Sequence, residues 1–146
     1  MPARRANGGG VQLLTDGGGD KDKVNEYGQT PIFWAAAYGH GEVVRLLMEL
    51  RADLNKANNY GETPLHRAAY YGHGDVVQML VAGGADIDKA DNDGRTPLYW
   101  AARTGRTEVV KVLLSLGADR TKAANDGRTP LDVADNDEIR RMLQGE

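Results

Sequence analysis

The chain contains no cysteine among its 146 residues. That absence excludes a disulfide framework, a zinc site built on thiolates and a catalytic thiol nucleophile. Apolar runs are short, and none approaches the roughly 18 consecutive apolar residues that span a bilayer. The basic start Met1–Arg5 is not followed by the apolar core of a signal peptide. We therefore predict an intracellular protein, cytoplasmic or nuclear, with no membrane association.

A strong excess of one charge is also missing. The 18 lysines and arginines are interspersed with 21 acidic residues, and the net charge is −3. A nucleic-acid-binding domain usually carries a basic patch or stripe, so no nucleic-acid partner is predicted. A weaker alternative, nucleic-acid contact through Arg95, Arg103, Arg106 and Arg128, stays open at this point.

The chain does have a strict internal repeat marked by the dipeptide Thr-Pro. The dipeptide begins at Thr30, Thr63, Thr96 and Thr129, a spacing of 33 residues each time. A period of this length is typical of a solenoid, in which each copy contacts only its neighbours. Function is therefore expected on an extended surface rather than in one pocket.

Each repeat unit predicts two short antiparallel helices. Thr63 is a good N-cap and Pro64 suits the first helical position, so a helix of about nine residues is predicted to end at Gly72. A second apolar run at 76–81 follows the acidic Asp75 and precedes the glycine pair at 83–84. Helices this short are marginal alone in water. We therefore expect their apolar faces, including the paired alanines, to be buried against neighbouring copies.

The repeat also has a specific sequence. Residues 63–68 read Thr-Pro-Leu-His-Arg-Ala, and the triplet Gly-Ala-Asp closes two copies at 84–86 and 117–119. With its period of 33, the chain resembles the ankyrin repeat family from about Val11 to Leu143. The resemblance implies an all-α solenoid of paired antiparallel helices with finger turns, about three full repeats long, with partial N-terminal and capping C-terminal repeats. The implied divisions are a frayed N-terminus at 1–10, a partial repeat at 11–24, full repeats at 25–57, 58–90 and 91–123, and a C-terminal cap repeat at 124–146.

The two ends depart from the repeat pattern. In the last copy Asp135 replaces an alanine and three residues are lost, which predicts a polar C-terminal cap. Near the N-terminus, the triple glycine at 8–10 is a poor helix start, so the first helix of that copy is expected to be missing. A frayed N-terminus would also suit a domain cut from a longer chain.

Candidate chemical motifs favour structural roles. The segment from Lys89 to Trp100 resembles a calcium loop, but it lacks the first carboxylate and the closing glutamate. His66 matches the family motif, while His40 and His73 each follow a helix-ending glycine, and this repetition favours hydrogen bonding over catalysis or metal binding. The acids that recur after each second helix share one environment, unlike a catalytic pair. We predict a non-enzymatic protein without metal or cofactor.

Variation between the copies predicts where a partner binds. In the resembled family the target usually lies in the concave groove formed by the finger turns and the exposed side of the first helices. Five of the six tyrosines fall at these positions, and tyrosine offers a large contact area at low entropic cost. The resemblance thus implies a protein or peptide partner, and the candidate contacts are Glu26, Tyr27, Gln29, Tyr38, Asn59, Tyr60, Glu62, Tyr70, Tyr71, Asn92, Asp93, Arg95, Arg103, Thr104, Asn125, Asp126 and Arg128.

The candidate groove is graded in its chemistry. Its first two copies contribute most of the tyrosines, whereas the later copies contribute Arg95, Arg103 and Arg128. We therefore expect a partner that is apolar at one end and acidic at the other, bound by a monomer. The alternative interpretation is that the tyrosines only pack against the neighbouring finger turns.

Two smaller hypotheses concern single positions. Trp34, Arg67 and Trp100 occupy equivalent positions, and facing helices lie about 8–10 Å apart, so the guanidinium could be sandwiched between the two indoles. Plain packing at the edge is the alternative. Asn55 follows Asp53 and Leu54 and resembles the site at which some ankyrin domains are hydroxylated on asparagine. The alternative is that Asn55 only braces a turn.

Two other classes of function stay open on the sequence alone. One is an engineered or consensus-like scaffold with no natural partner, because the second and third copies keep close to the family pattern. The other is the targeting domain of a larger polypeptide whose enzymatic activity lies elsewhere.

Overall fold

A computed structural model describes residues 20–145 of the chain. These residues form eight α-helices and contain no β-strand, and a short 3₁₀ helix at Asp20–Asp22 precedes the first of them. The all-α prediction is confirmed. The helices are α1 (Pro31–Ala37), α2 (Gly41–Glu49), α3 (Pro64–Tyr70), α4 (Gly74–Ala82), α5 (Pro97–Arg103), α6 (Thr107–Ser115), α7 (Pro130–Val133) and α8 (Asp137–Leu143).

The first helix of each repeat begins with the predicted Thr-Pro cap. The hydroxyl of Thr96 accepts a hydrogen bond from the backbone N–H of Tyr99 at 3.1 Å, and Pro97 occupies the first helical position. The predicted length of nine residues is wrong, since α3 has seven. The reason is that Tyr71 already forms the C-cap, and Gly72 then takes the left-handed φ of +81° that ends the helix.

The second helices are longer and amphipathic. In α4 the side chains of Val76, Val77 and Leu80 are buried, whereas Asp75 and Gln78 on the opposite face are exposed. Burial every three to four residues is the pattern of a helix that packs with one face on a core. The second helices therefore form the outer wall of each repeat.

The helices stack in two layers. The first helices α1, α3, α5 and α7 contact one another in chain order, the second helices α2, α4, α6 and α8 do the same, and each first helix packs on its own second helix. The core runs between the layers, where small alanines let the helices approach closely. Fully buried side chains along it include Ile32, Ala36, Leu47, Leu65, Ala69, Leu80, Leu98, Ala102, Leu113 and Ile139.

Finger turns join consecutive repeats and bond to one another. In one of them the N–H of Gly94 donates to the carbonyl of Asp91 at 2.9 Å, which makes the predicted tight turn. The next finger attaches through Asn125, whose backbone N–H donates to the carbonyl of Asp93 and whose side-chain amide donates to the carbonyl of Asn92. The same two bonds recur one and two repeats earlier. The fingers thus form a continuous hydrogen-bonded row.

The acids that recur after the second helices bind backbone groups, as their structural interpretation predicts. The Asp88 carboxylate accepts the N–H of Asp119 at 2.9 Å, and one repeat earlier the amide oxygen of Asn55 accepts the N–H of Asp86 at 2.8 Å. Asp119 accepts hydrogen bonds from the N–H and the hydroxyl of Thr121, and these bonds lower the pKa of its carboxyl group. These side chains hold neighbouring repeats in register.

The C-terminal repeat is the polar cap that the sequence predicts. Helix α7 has only four residues, and Ala134 leaves the helical conformation with ψ 131°. Asp135 is exposed and donates its N–H to the carbonyl of Ala102, after which Asn136 caps α8. At the other end, the expected fraying of residues 1–10 lies outside the described residues.

His66 has the structural role that its repeat position predicts. The ring is buried; its Nδ1 accepts the N–H of Thr63 at 3.0 Å, and its Nε2–H donates to the carbonyl of Arg95 in the next finger at 2.8 Å. Both bonds suit the neutral imidazole. Burial lowers the pKa of His66, although that carbonyl and the nearby Asp91 and Glu62 act in the opposite direction.

Acidification is therefore expected to destabilise the fold through His66. The unfolded imidazole takes up a proton near its ordinary pKa of about 6.5, whereas the folded imidazole resists protonation. The free energy of unfolding, at its full value above about pH 6.5, should fall as the pH drops below that value. Urea denaturation at several pH values measures this. The control is His66→Tyr, which copies Tyr99 at the equivalent position; an equally steep loss of stability in that variant would contradict the assignment.

Candidate partner-binding surface

One side of the stack brings together the finger turns and the exposed ends of the first helices. The two meet directly, because Glu62 of a finger pairs with Arg67 of α3 at 2.9 Å, and Asp91 of another finger accepts the indole N–H of Trp100 at 3.0 Å. We call this side the groove surface. It comprises the finger residues 26–29, 59–62, 92–95 and 125–128 and the helix-end residues 34–38, 67–71 and 100–104.

The predicted tyrosines are mostly exposed on this surface. Relative exposure is 53% for Tyr27, 62% for Tyr38, 64% for Tyr60 and 44% for Tyr71. Tyr70 differs, because it is partly buried with its ring centroid 5.0 Å from that of Tyr71 and 5.4 Å from that of Trp100. Tyr70 therefore packs against neighbouring rings, whereas the rings of the other four tyrosines expose apolar area to solvent.

An aromatic pocket opens between α1 and α3. Its volume is about 500 Å³, within the range of sites that bind small ligands or single side chains. Trp34 and Tyr38 form one wall, with ring centroids 4.8 Å apart, and Tyr71 lies on the other helix. The remaining lining residues are Gln29, Phe33, Ala37, Arg67 and His73.

Arg67 does not lie between the two indoles, so the sandwich hypothesis is wrong. Its guanidinium lies over the rings of Tyr70 and Tyr71, at 5.6 and 6.0 Å from their centroids. The cause is the ion pair with Glu62, five residues earlier, which draws the guanidinium toward the finger. Arg67 therefore brings a positive charge to the pocket wall, but that charge is already neutralised.

Two arginine side chains pack on Trp100 farther along the groove surface. The guanidinium of Arg95 lies 5.0 Å from its ring centroid and that of Arg103 lies 5.6 Å away, both within cation–π range. Arg95 is mostly buried, and its Nε finds no acceptor in the described part of the chain. Arg103 is exposed. Aromatic stacking thus holds two cations side by side at the end of α5.

The three predicted arginines differ in how far their charge is neutralised. Arg128 pairs with Asp126 at 3.0 Å, and hydrogen bonds from the backbone and side chain of Arg128 lower the pKa of that carboxyl group. Arg95 has a looser partner in Asp93 at 3.9 Å. Among residues 20–145, no acidic side chain lies within ion-pair distance of Arg103. Of these three arginines, Arg103 is therefore the one whose charge no carboxylate of the described residues pairs with.

Family membership follows from the sequence comparison. The family model for ankyrin repeats, in three copies, matches residues 3–91 and 80–145. The chain belongs to the ankyrin repeat family. None of the curated proteins matches the chain in a separate comparison. Ankyrin repeats are in general protein–protein interaction modules, and the family is typically non-enzymatic.

Several candidate contacts of the ankyrin groove already serve the scaffold. The side-chain amides of Asn59, Asn92 and Asn125 each donate to a carbonyl of the preceding finger. The hydroxyl of Thr104 donates to the carbonyl of Trp100 at 2.6 Å. These groups fix the shape of the surface.

Sequence reasoning missed part of the aromatic pocket of the ankyrin groove. Phe33 and His73 line it, and His73 also lies 3.0 Å from the carbonyl of Ala37 through its Nε2. The sequence did contain a signal for an aromatic cluster, because Trp34 and Tyr38 are four residues apart and so share one face of a helix end. The contribution of Phe33 to the pocket could not be predicted in this way, because most of its surface is buried.

Asn55 braces a turn in the ankyrin stack. Its backbone N–H donates to the carboxylate of Asp53 at 2.9 Å, and its amide oxygen accepts the N–H of Asp86. The residue is nevertheless exposed. Its hydroxylation stays a prediction that the intact mass of the protein would test.

No helix within residues 20–145 has both the length and the apolar composition needed to cross a membrane. Within the same residues, no three potential ligands among histidine, aspartate and glutamate come together as a metal site would require.

Proposed function

We propose that this ankyrin domain binds a protein or peptide partner on the groove surface. The observation that carries the proposal is the exposure of four tyrosines on this one side of the stack, with relative exposures of 44–64%. Large exposed aromatic groups are typical of binding surfaces, where tyrosine supplies contact area and a hydroxyl at low entropic cost. The general role of ankyrin repeats agrees with it.

Recognition would rely on a surface that is already in its binding shape. Hydrogen bonds from Asn59, Asn92 and Asn125 hold each finger on the one before it. A preorganised surface loses little conformational entropy on binding. The groove surface spans three first-helix ends at about 10 Å each, enough for an interface of about 800 Å². We infer a monomer that binds an intracellular partner and performs no chemistry itself.

A comparison of captured partners tests this proposal. Three proteins would be used to capture partners from cell lysate, and the captured proteins would be quantified by mass spectrometry. They are the native chain, the groove variant Tyr60→Ala/Tyr71→Ala/Arg103→Glu and the outer-face control Arg45→Ala/Lys111→Ala. All five side chains are exposed, so each variant should keep its native far-UV circular dichroism. We expect a partner retained by the control and depleted at least about tenfold by the groove variant.

Two outcomes would contradict the proposal. Equal enrichment of the same proteins by all three chains would place binding away from the groove surface. Enrichment of no protein by the native chain would favour a stable scaffold without a natural partner. The sequence of a longer transcript would separately test whether the domain targets a larger enzyme.

A further inference from the structure

We infer that the partner presents an extended segment with an uncharged aromatic or long apolar side chain and, four residues away, an acidic side chain. This inference rests on the proposed function and specifies its partner. The apolar side chain enters the pocket between α1 and α3, and the acidic one meets Arg103. Three observations carry it: the lining of the pocket, the unmatched charge of Arg103 and the distance between them.

The pocket selects an uncharged side chain. Trp34, Tyr38 and Tyr71 supply its aromatic walls. The guanidinium of Arg67 in the wall is paired with Glu62, so the wall offers a cation no unmatched carboxylate, although aromatic rings alone can attract a cation. Its partner Glu62 has a side chain only 15% exposed and has already neutralised that guanidinium, so an anion gains little there. Burial of an aromatic or long aliphatic side chain remains the favourable use of this space.

The charge at Arg103 selects an acid. Its guanidinium rests against the Trp100 indole, which limits its freedom, while Arg95 on the same indole adds positive potential. In the described chain no carboxylate pairs with Arg103. A partner carboxylate would therefore form a new charge-assisted bond without displacing an existing one. The planar guanidinium also favours the two-oxygen geometry of a carboxylate.

The spacing follows from the repeat geometry. Ala37, Tyr70 and Arg103 hold the same position in consecutive repeats, so the pocket and Arg103 lie at the same level of the stack. Neighbouring first helices lie about 8–10 Å apart, and the pocket is halfway between α1 and α3, so α5 is about 12–15 Å from it. An extended chain advances about 3.3 Å per residue, and residues four apart point to the same side. A spacing of four residues in the bound segment therefore matches both the distance from the pocket to Arg103 and the required side-chain direction.

Selection from a phage-displayed library of random dodecapeptides tests the inference on the whole chain. On the native protein we expect enriched sequences that pair an aromatic residue or leucine with Asp or Glu four positions away, in either chain direction. On Arg103→Glu the acidic position should change to Lys or Arg. On Tyr38→Ser/Tyr71→Ser the aromatic preference should be lost while the acid remains.

A charge-matched control separates the site from the overall charge. Lys111→Glu lies on the outer helix α6, is exposed and changes the net charge by the same amount as Arg103→Glu, so it should select the native pattern. In fluorescence anisotropy with the best synthetic peptide, changing its acid to lysine should weaken binding to the native protein about tenfold, and Arg103→Glu should restore it.

The outcomes distinguish this inference from the proposed function. Peptides that bind the groove variant Tyr60→Ala/Tyr71→Ala/Arg103→Glu as tightly as the native chain would overturn both. Groove-dependent peptides without the aromatic and acidic pair would overturn the inference alone. Recovery of no groove-dependent peptide would also overturn the inference, because the inference requires binding of a short extended segment. The capture of partners from lysate would still decide the proposed function.

Discussion

Replacing Gly94 with alanine is expected to destabilise the fold by about 2–5 kcal/mol. Gly94 has φ +80°, a left-handed conformation that costs an alanine about 1–2 kcal/mol. A Cβ atom there would also lie 2.7 Å from the backbone nitrogen of Asn125 and would collide with the side-chain oxygen of the same residue. Relieving that overlap costs a further ~1–3 kcal/mol, because Asn125 carries both bonds that join its finger to the preceding one.

Gly127→Ala is the matched control for this prediction. Gly127 has a similar φ of +88°, but a Cβ there would meet no atom within 4 Å in the described chain. Its substitution should cost only the conformational term of about 1–2 kcal/mol. Urea denaturation of both variants gives the difference. Equal losses for the two alanines would contradict the predicted overlap with Asn125.

Leu47→Ala is expected to cost about 2–5 kcal/mol of unfolding free energy. Leu47 lies in α2 and is fully buried between the two helix layers. Its truncation loses buried apolar area and leaves a cavity that the surrounding core can fill only partly. Because domains of this size are stable by only ~5–15 kcal/mol, the variant should unfold at a much lower urea concentration.

The neighbouring leucine provides a control within the same helix. Leu46 is 45% exposed, so Leu46→Ala has the same effect on helix propensity but removes little buried area. We expect its cost to be below about 1 kcal/mol. Tryptophan fluorescence during urea denaturation follows both variants through Trp34 and Trp100. A cost for Leu46→Ala as large as that for Leu47→Ala would contradict the two-layer packing.

The architecture was largely readable from the sequence because local signals and period agree. Thr63 and Pro64 mark a helix start in water as well as in the fold, and Gly72 marks its end through its own conformational freedom. The hydrogen-bonding role of His66 followed from its place in the repeat. These features depend on residues near one another in the chain, and the Thr-Pro start recurs in all four copies.

The charges of the groove were harder to predict because they depend on which partner each side chain reaches. Arg67 had two candidate indoles in equivalent positions, yet it pairs with Glu62 from the adjacent finger. Arg95, Arg103 and Arg128 read as equivalent cations in the sequence, but two of them pair with acids of their own fingers. Competition between ion pairs at distances of 3–4 Å cannot be ranked from residue spacing.

Contacts between nearest repeats also determine how the chain folds in time. Side-chain hydrogen bonds between repeats in residues 20–145 join positions no more than 36 apart. The entropic cost of closing each loop is thus the same for every repeat, however many copies follow. We expect two adjacent repeats to form a nucleus, on which each further repeat then docks. We therefore expect the first such pair to limit the rate of folding, and the loss of a terminal repeat to limit the rate of unfolding.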